Sequence, residues 1–510
     1  MSRHSRPNKP LRVVLAVVSV LAIIVLIAAS LVYRPSWLRA DSPSVDRSSI
    51  GRSVSPRQLQ TYCPSRMTIA DTGSYGDSEY QASNGDIASS ARYSAFGSVF
   101  HSSVASLGSD SMSSSLTLDK KSVDSSEDVF VASGNVDDGA QLQDTRLLTA
   151  SDGTGAASSV MSWATDGDLK GVSAASCVAP TLKQTFLVPG TKTGMTQQLV
   201  VANPSAKAAS INVKVWGADK SGSLALSTGS TMTVGAGEES VLNLAAAASG
   251  QEALYVTVSG VDTPVAAIVR SVAMDGLVSK GSDYIVPNNV SSKVLALDGL
   301  SYGDNMTLYL YAAHRTDVTV SWVDAKGVDP VNQQTLEADR ASSIELGDVP
   351  KNATGVIISA SKPISAAAKV VQDGTDGQSD FALANASVPA KISAIAVPDR
   401  STAQIGLLNI SKEECTATMT SYDADGSLVD KRQITLGPSA SMSVDVDDIN
   451  DGDVAAIRLK DSSASMVWNL RIGQQDVSDA KLAGLSVIGA ADLKEAREQV
   501  WANQDMTVVR

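Results

Sequence analysis

The chain has 510 residues, too many for one hydrophobic core, and the length points to three or four domains. Charged residues are 19% and aromatics only 4%, with a surplus of small and β-branched side chains, which argues against a coiled coil or a protein built on aromatic stacking platforms. The net charge of −13 repels phosphate backbones, so nucleic acid is excluded as an expected partner.

The first segment, 1–10, reads as a cytoplasmic stub. Arg3, Arg6, Lys9 and Arg12 stand near the start without any acid among them. Within 11–32, residues 13–32 form a run of twenty without a charge, in which only Ser19 and Ser30 are polar. In helix such a run spans about 30 Å, the thickness of a bilayer core. Four bases before it against Arg34 and Arg39 after it place the N-terminus inside and the body outside. A cleaved signal peptide is the competing reading. Its apolar stretch is usually shorter and ends in a small-x-small site, which Ile27-Ala28-Ala29 does not supply. An uncleaved single-pass signal anchor in the cell membrane is therefore expected.

Residues 33–60 hold Pro35, Pro43 and Pro56 among Ser and Arg and read as a linker. Residues 61–180 form a β-rich region bracketed by Cys63 and Cys177. Strands are expected over 128–132, 146–150 and 159–164, and a poorly packed Ser-rich loop over 102–126. An extracytoplasmic body permits disulfides, and with three Cys in the chain the expected pair is Cys63 with Cys177. Cys415 is left over, at an inward position of an alternating strand, where a buried apolar thiol is expected.

After Cys177 the chain repeats itself. An apolar-Val-Pro triplet recurs as Leu187-Val188-Pro189, Ile285-Val286-Pro287 and Ala396-Val397-Pro398. An alternating strand runs into an Asp-x-x-Gly turn ending at Gly222, Gly327 and Gly426, spaced 105 and 99 residues. A later strand closes on a base at Arg270, Lys369 and Arg471, spaced 99 and 102. A period near 100 is the size of a sandwich module, far above that of a solenoid coil or propeller blade. The fold class expected is all-β: an N-terminal transmembrane helix followed by tandem immunoglobulin-like β-sandwich modules at 181–280, 281–391 and 392–489. The Cys needed for an antibody-type core are absent, and Trp216, Trp322 and Tyr422 do not align in phase. Residues 490–510 read as a helical tail, from the amphipathic spacing within 490–502.

The chain resembles actinobacterial membrane-anchored cell-envelope proteins that contain a domain of unknown function. The resemblance rests on the N-terminal anchor, Cys63-Pro64, Cys177-x-x-Pro180, residues 186–190, Leu199-Val200-Val201-Ala202-Asn203-Pro204 and the strand 211–215, and it covers roughly 60–490. Relatives have Trp near Phe186, where this chain departs. The resemblance implies an envelope location and transfers no catalytic residue.

Chemistry-bearing motifs are sparse. His4 lies on the stub, leaving His101 and His314 for the body, and no Gly-x-Ser-x-Gly elbow is present. The acids fall in turns such as Asp423-Ala424-Asp425-Gly426, which turn chemistry explains. The densest run, 445–453, lacks the calcium-loop spacing and reads as a solvated connection. Gly153-Thr154-Gly155 lacks a phosphate-loop Lys, so no nucleotide is expected. The reading is a non-enzymatic envelope scaffold without catalytic residue, cofactor or metal, binding an envelope polymer or other membrane proteins. The alternatives are a cell-wall hydrolase with its site in 61–180, or an adhesin or sensor ectodomain.

Overall fold

The computed structural model describes residues 50–70, 81–109, 115–120 and 127–502, with the isolated positions 18, 20, 22 and 25. Two compact units divide it: Ser55–Ala496, and the end segments Met1–Val54 with Arg497–Arg510. Among the described residues no helix is long and apolar enough to cross a membrane. The run at 13–32 lies outside them, except for Val18, Val20, Ala22 and Val25, which are helical and exposed.

In chain order, β1 (Ile50–Val54) belongs to the smaller unit, and β2 (Gln58–Cys63) opens the larger one. A first sandwich continues with β3 (Ala88–Phe96), β4 (Val99–Ser106), β5 (Leu116–Thr117), β6 (Phe130–Gly134), β7 (Gln141–Leu147), β8 (Gly155–Ala156), β9 (Ser159–Ala164) and β10 (Gly171–Ser176). A second holds β11 (Lys183–Pro189), β12 (Met195–Ala202), β13 (Ala209–Trp216), β14 (Thr231–Val234), β15 (Glu239–Asn243), β16 (Ala253–Gly260), β17 (Ala266–Asp275) and β18 (Val278–Ile285). The third runs β19 (Ser292–Asp298), β20 (Asn305–Ala312), β21 (Thr316–Asp324), β22 (Gly327–Leu336), β23 (Arg340–Asp348), β24 (Gly355–Asp373) and β25 (Ser379–Asn385). The fourth runs β26 (Ile392–Ala396), β27 (Ser401–Asn409), β28 (Cys415–Tyr422), β29 (Leu428–Leu436), β30 (Ser441–Asp445), β31 (Ala456–Lys460), β32 (Met466–Gln474), β33 (Ser486–Gly489) and β34 (Ala491–Asp492). Finally β35 (Glu498–Ala502) pairs antiparallel with β1 in the smaller unit.

All four sandwiches share one strand order. The outer sheet of the second is β11-β16-β13-β14 and its inner sheet is β15-β12-β17-β18. The same orders recur as β2-β7-β4-β5 with β6-β3-β9-β10, and as β29-β28-β31-β26 with β30-β27-β32-β33. In the third, β24 serves both sheets: its first half pairs with β19 and β21, its second with β20 and β25. Region 61–180 is thus a fourth copy of the sandwich. The arrangement has an order of its own. An immunoglobulin domain keeps its first and second strands in one sheet, whereas here β11 and β12 lie in different sheets.

Several expectations change in detail. The Asp-x-x-Gly turns connect the third and fourth strands of each repeat, with Gly222, Gly327 and Gly426 at φ 94°, 144° and 79°, as glycine in such turns requires. Asp324 Oδ1 caps its turn by accepting from the N–H groups of Lys326 and Gly327 at 2.7 and 3.1 Å. The apolar-Val-Pro triplets are not equivalent. Two fall at the ends of first strands, but Ile285-Val286-Pro287 ends β18, an eighth strand. Pro363 does not start a strand. It sits inside β24 in an exposed stretch between the two sheets, where a missing N–H costs no ladder bond. Residues 102–106 belong to β4 rather than a loop, with Ser102 buried and bonded to Thr145 and Gln143. The linker ends sooner, since β2 begins at Gln58. The helix expected within 490–502 is replaced by β34 and β35; the pairing of each with a neighbouring strand outweighs its helical spacing.

The sandwiches close into a ring. In β12 and β17, Leu199, Val201, Ala267 and Val269 face their own core, while Val200, Ala202, Ala266 and Ile268 enter the core of the first sandwich. That is the period of two, with both faces buried. Phe381 and Leu383 of β25 enter the second core, and Leu485 and Val487 enter the third. Met161, Trp163, Val172 and Ala174 of β9 and β10 enter the fourth. Each core is finished by strands of another sandwich, and the first completes the last. Outer sheets pack on the inner sheets of their neighbours: Tyr255 and Tyr311 stack at 3.7 Å between the second and third, and Phe96 meets Tyr422 edge-on between the first and fourth.

Candidate functional site: the axis of the ring

The eighth strands β10, β18, β25 and β33 come together at the centre, each in contact with the next around the ring. Each is the edge of its inner sheet, and a buried edge leaves N–H groups that need acceptors. The pairing of each eighth strand with its seventh sets the equivalences: Ala174 faces Met161, Tyr284 faces Arg270, Leu383 faces Lys369 and Val487 faces Arg471. Three residues earlier stand Gly171, Gly281, Asp380 and Gly484. One copy supplies a carboxylate where the other three have glycine.

Asp380 is fully buried and gathers all four strands. Oδ2 accepts from the N–H of Val172 on β10 at 2.7 Å and of Leu485, just before β33, at 2.9 Å. Oδ1 accepts from the N–H of Phe381 on β25 at 2.9 Å and of Ser282 on β18 at 3.3 Å. These four donors are the equivalent residue of each copy. The glycines make the room: a Cβ on Gly171 would stand 2.4 Å from Oδ2, and one on Gly281 2.5 Å from Oδ1. Both have left-handed φ, 129° and 102°.

Two residues further along each strand, the layer is Ser173, Asp283, Ala382 and Ser486. Asp283 accepts from the N–H of Leu383 at 2.7 Å and of Ala174 at 3.1 Å, and from Ser486 Oγ at 2.8 Å. Ser173 Oγ donates to the carbonyl of Ser282 at 2.8 Å. Burial pushes the Asp380 carboxyl up to about 8 against the pull of its four N–H donors, and burial raises Asp283 well above the usual range. Lys369, its ammonium 4.2 Å from the Phe381 ring centre, is lowered to about 8 by burial, while the Asp380 charge works the other way.

The repeated closing bases also find a use. Arg471 Nη1 and Nη2 meet Asp304 of the third sandwich at 2.7 and 3.0 Å, and Nη1 also donates to the Gly299 carbonyl at 3.1 Å. Arg270 Nη2 donates to Ser65 Oγ at 2.6 Å. Both reach from one sandwich into the preceding one. In the first sandwich the equivalent residue is Met161, which enters the fourth core.

At one end of the axis a cleft of about 270 Å³ opens where the four inner strands finish. Ser176, Asn288, Asn385, Trp468 and Asp492 line it, so every sandwich contributes. Trp468 Nε1 is held by Ser393 Oγ at 2.7 Å, and Asn385 Nδ2 donates to the Val286 carbonyl at 3.0 Å.

Other residues singled out in the sequence lie apart from the axis. His101 is half-buried on β4 opposite Arg146, and His314 is exposed between β20 and β21 of another sandwich. Cys415 is buried on β28 in the fourth core, and burial pushes its thiol up to about 11. In the acidic run, Val446 and Ile449 plug the fourth core while Asp447, Asp448 and Asp451 face solvent. Among the described residues no group of three or more His, Cys, Asp or Glu is placed to hold a metal. Cys63 and Cys177 are joined by a disulfide. Sequence reasoning missed the axial aspartates. The available signal was the run Gly171-Val172-Ser173, Gly281-Ser282-Asp283 and Gly484-Leu485-Ser486, a glycine two residues before a small acceptor.

A family model described as a family of unknown function (DUF5719) matches residues 131–447. The chain belongs to that family. The matched span begins inside the first sandwich and ends in the fourth, so it includes β10, β18 and β25 of the axis. No curated protein matches the sequence. Among solved structures, a glycosyl hydrolase family 2 member from Bacteroides cellulosilyticus aligns at 8% identity and TM-score 0.10, over 67% of this chain and 36% of that one. An alpha-L-rhamnosidase of Streptomyces avermitilis, complexed with L-rhamnose, aligns at 8% identity and TM-score 0.12, over 73% of this chain and 54% of that one. The chain thus spans about a third and about half of these two proteins, and likenesses this low carry no argument about fold or activity.

Proposed function

We propose that this DUF5719 protein is a non-catalytic, membrane-anchored scaffold of the cell envelope. In this reading residues 13–32 hold it in the membrane with the N-terminus inside, and the ring lies outside. The observation that supports it most is the use made of the perturbed carboxylates. Asp380 and Asp283 have the burial and raised pKa of catalytic acids, yet their oxygens are taken up by backbone N–H and Ser hydroxyl donors from several strands. That arrangement spends ionisable groups on rigidity. A rigid ring suits a surface that must present fixed contacts, and the axial cleft is where all four sandwiches offer side chains to one ligand.

The ligand class expected is an envelope polymer or another membrane protein, in keeping with the resemblance to actinobacterial envelope proteins. The test is photo-crosslinking in intact cells from a probe at Ser387 on the cleft, against a probe at Val261 on an exposed loop. Capture of a glycan or membrane protein from Ser387 alone supports the reading. Hydrolysis of purified cell wall by the full chain, abolished by His101→Ala, would replace it with the hydrolase alternative.

A further inference from the structure

Three of the four seams in the ring are also crossed by the chain itself, as it passes from one sandwich to the next. The seam between the fourth and the first is held within Ser55–Ala496 by non-covalent contacts alone. The N–H of Ala174 on β10 donates to Ser486 Oγ on β33 at 3.0 Å, and the side chains of Met161, Trp163, Val172 and Ala174 finish the fourth core. Ser159 Oγ donates to the Ala396 carbonyl at 2.7 Å, Ser90 Oγ to that of Asp399 at 2.8 Å, and Arg92 Nε to that of Val397 at 3.3 Å.

The residue that follows β10 is Cys177, and its disulfide partner Cys63 is the last residue of β2 in the opposite sheet. Around the bridge, Tyr62 and Val178 exchange backbone hydrogen bonds of 2.8 and 2.7 Å. Cys63 is buried and Cys177 partly exposed. The covalent link therefore pins the downstream end of β10, one of the inner strands that close the ring.

We propose that the Cys63–Cys177 disulfide is a redox latch on the ring, holding β10 in the seam between the first and fourth sandwiches. A dithiol reductant breaks the S–S bond by supplying two electrons and two protons. The products are two protein thiols and the oxidised, cyclic disulfide of the reductant. Freed at its end, β10 loses its fixed place, and the fourth core and the Asp380 donor set lose their lining from the first sandwich. Loss of structure then reaches a sandwich that contains neither cysteine.

Hydrogen exchange read by mass spectrometry on the full chain, before and after native reduction with dithiothreitol, tests this. The expected result is exchange at least about tenfold faster in β10 and also in β27 and β32 of the fourth sandwich, with β13 and β21 unchanged. Acceleration confined to residues 58–178, or none once both thiols titrate, overturns the proposal, as does a bridge that cannot be reduced without global unfolding. Trp163→Ala keeps the disulfide and is the second arm. It is expected to expose β27 and β32 in the oxidised protein, and an effect limited to the first sandwich also overturns the latch.

Discussion

Asp380 at the axis and Asp298 in the seam between the third and fourth sandwiches are both fully buried carboxylates, and they differ in what surrounds them. Asp380 receives four backbone N–H groups, one from each inner strand. Asp298 has neither oxygen hydrogen-bonded, and the neighbouring Asn469 leaves its Oδ1 unpaired as well while its Nδ2 donates to the Asp298 carbonyl at 2.8 Å. Burial raises both acids, Asp298 well above the usual range. Burial favours the neutral acid at both sites; at the axis four donors offset part of the cost of the anion, and in the seam no side-chain hydrogen bond does. Burial alone therefore does not tell which buried acid organises the fold, and the donor count does.

The largest effect that would break this contrast is at the axis. Asp380→Ala leaves four buried N–H groups without an acceptor, each costing about 1–3 kcal/mol. A loss on the order of 5 kcal/mol or more is expected in urea unfolding, with all four sandwiches melting together. If only the third sandwich melts earlier, the axis is not the shared lock. Gly281→Ala places a methyl 2.5 Å from Asp380 Oδ1 at φ 102°. It is expected to cost about 3 kcal/mol, where the same change at Gly222, which meets nothing within 4 Å, carries the backbone penalty alone.

These residues also show what a sequence discloses. The Asp-x-x-Gly turns and the closing bases were legible because turn geometry and strand register are local and repeat at a fixed spacing. Region 61–180 escaped recognition as a copy because Met161 replaces the base and no Asp-x-x-Gly turn marks its hairpin. The triplet at 285–287 was misplaced because Pro after an apolar pair ends any strand, first or eighth. The ring itself was out of reach. Val200 and Leu199 are equally apolar, and only the three-dimensional arrangement sends one to the first core and the other to the second.

A pH profile sharpens the contrast next. A carboxyl raised on folding stabilises most below its unfolded value of about 4, and that stability is lost as pH rises through the folded value, about 8 for Asp380. Lys369, lowered to about 8, acts with the opposite sign, its penalty relaxing as pH climbs from there toward its unfolded value. Unfolding free energy should therefore fall by a few kcal/mol between pH 5 and pH 8, and fall less steeply above, where relief of the Lys369 penalty opposes the carboxyls. A rise over that interval, read by urea titration, would contradict the raised carboxyls.

The smallest expected effect isolates the seam. Asp298→Asn cannot ionise, so it should change stability at pH 5 by no more than about 1 kcal/mol and make the protein more stable than wild type at pH 9. Its pH slope should be shallower for the same reason. The room around it is tight, since a Cβ on Gly406 would lie 3.1 Å from Asp298 Oδ1, but Asn fills the volume of Asp. The matching change at the axis, Asp380→Asn, points an NH₂ group at N–H donors and should destabilise at pH 9, where the native carboxylate accepts all four. Equal responses of the two variants would mean that burial, and not the donor set, governs both sites.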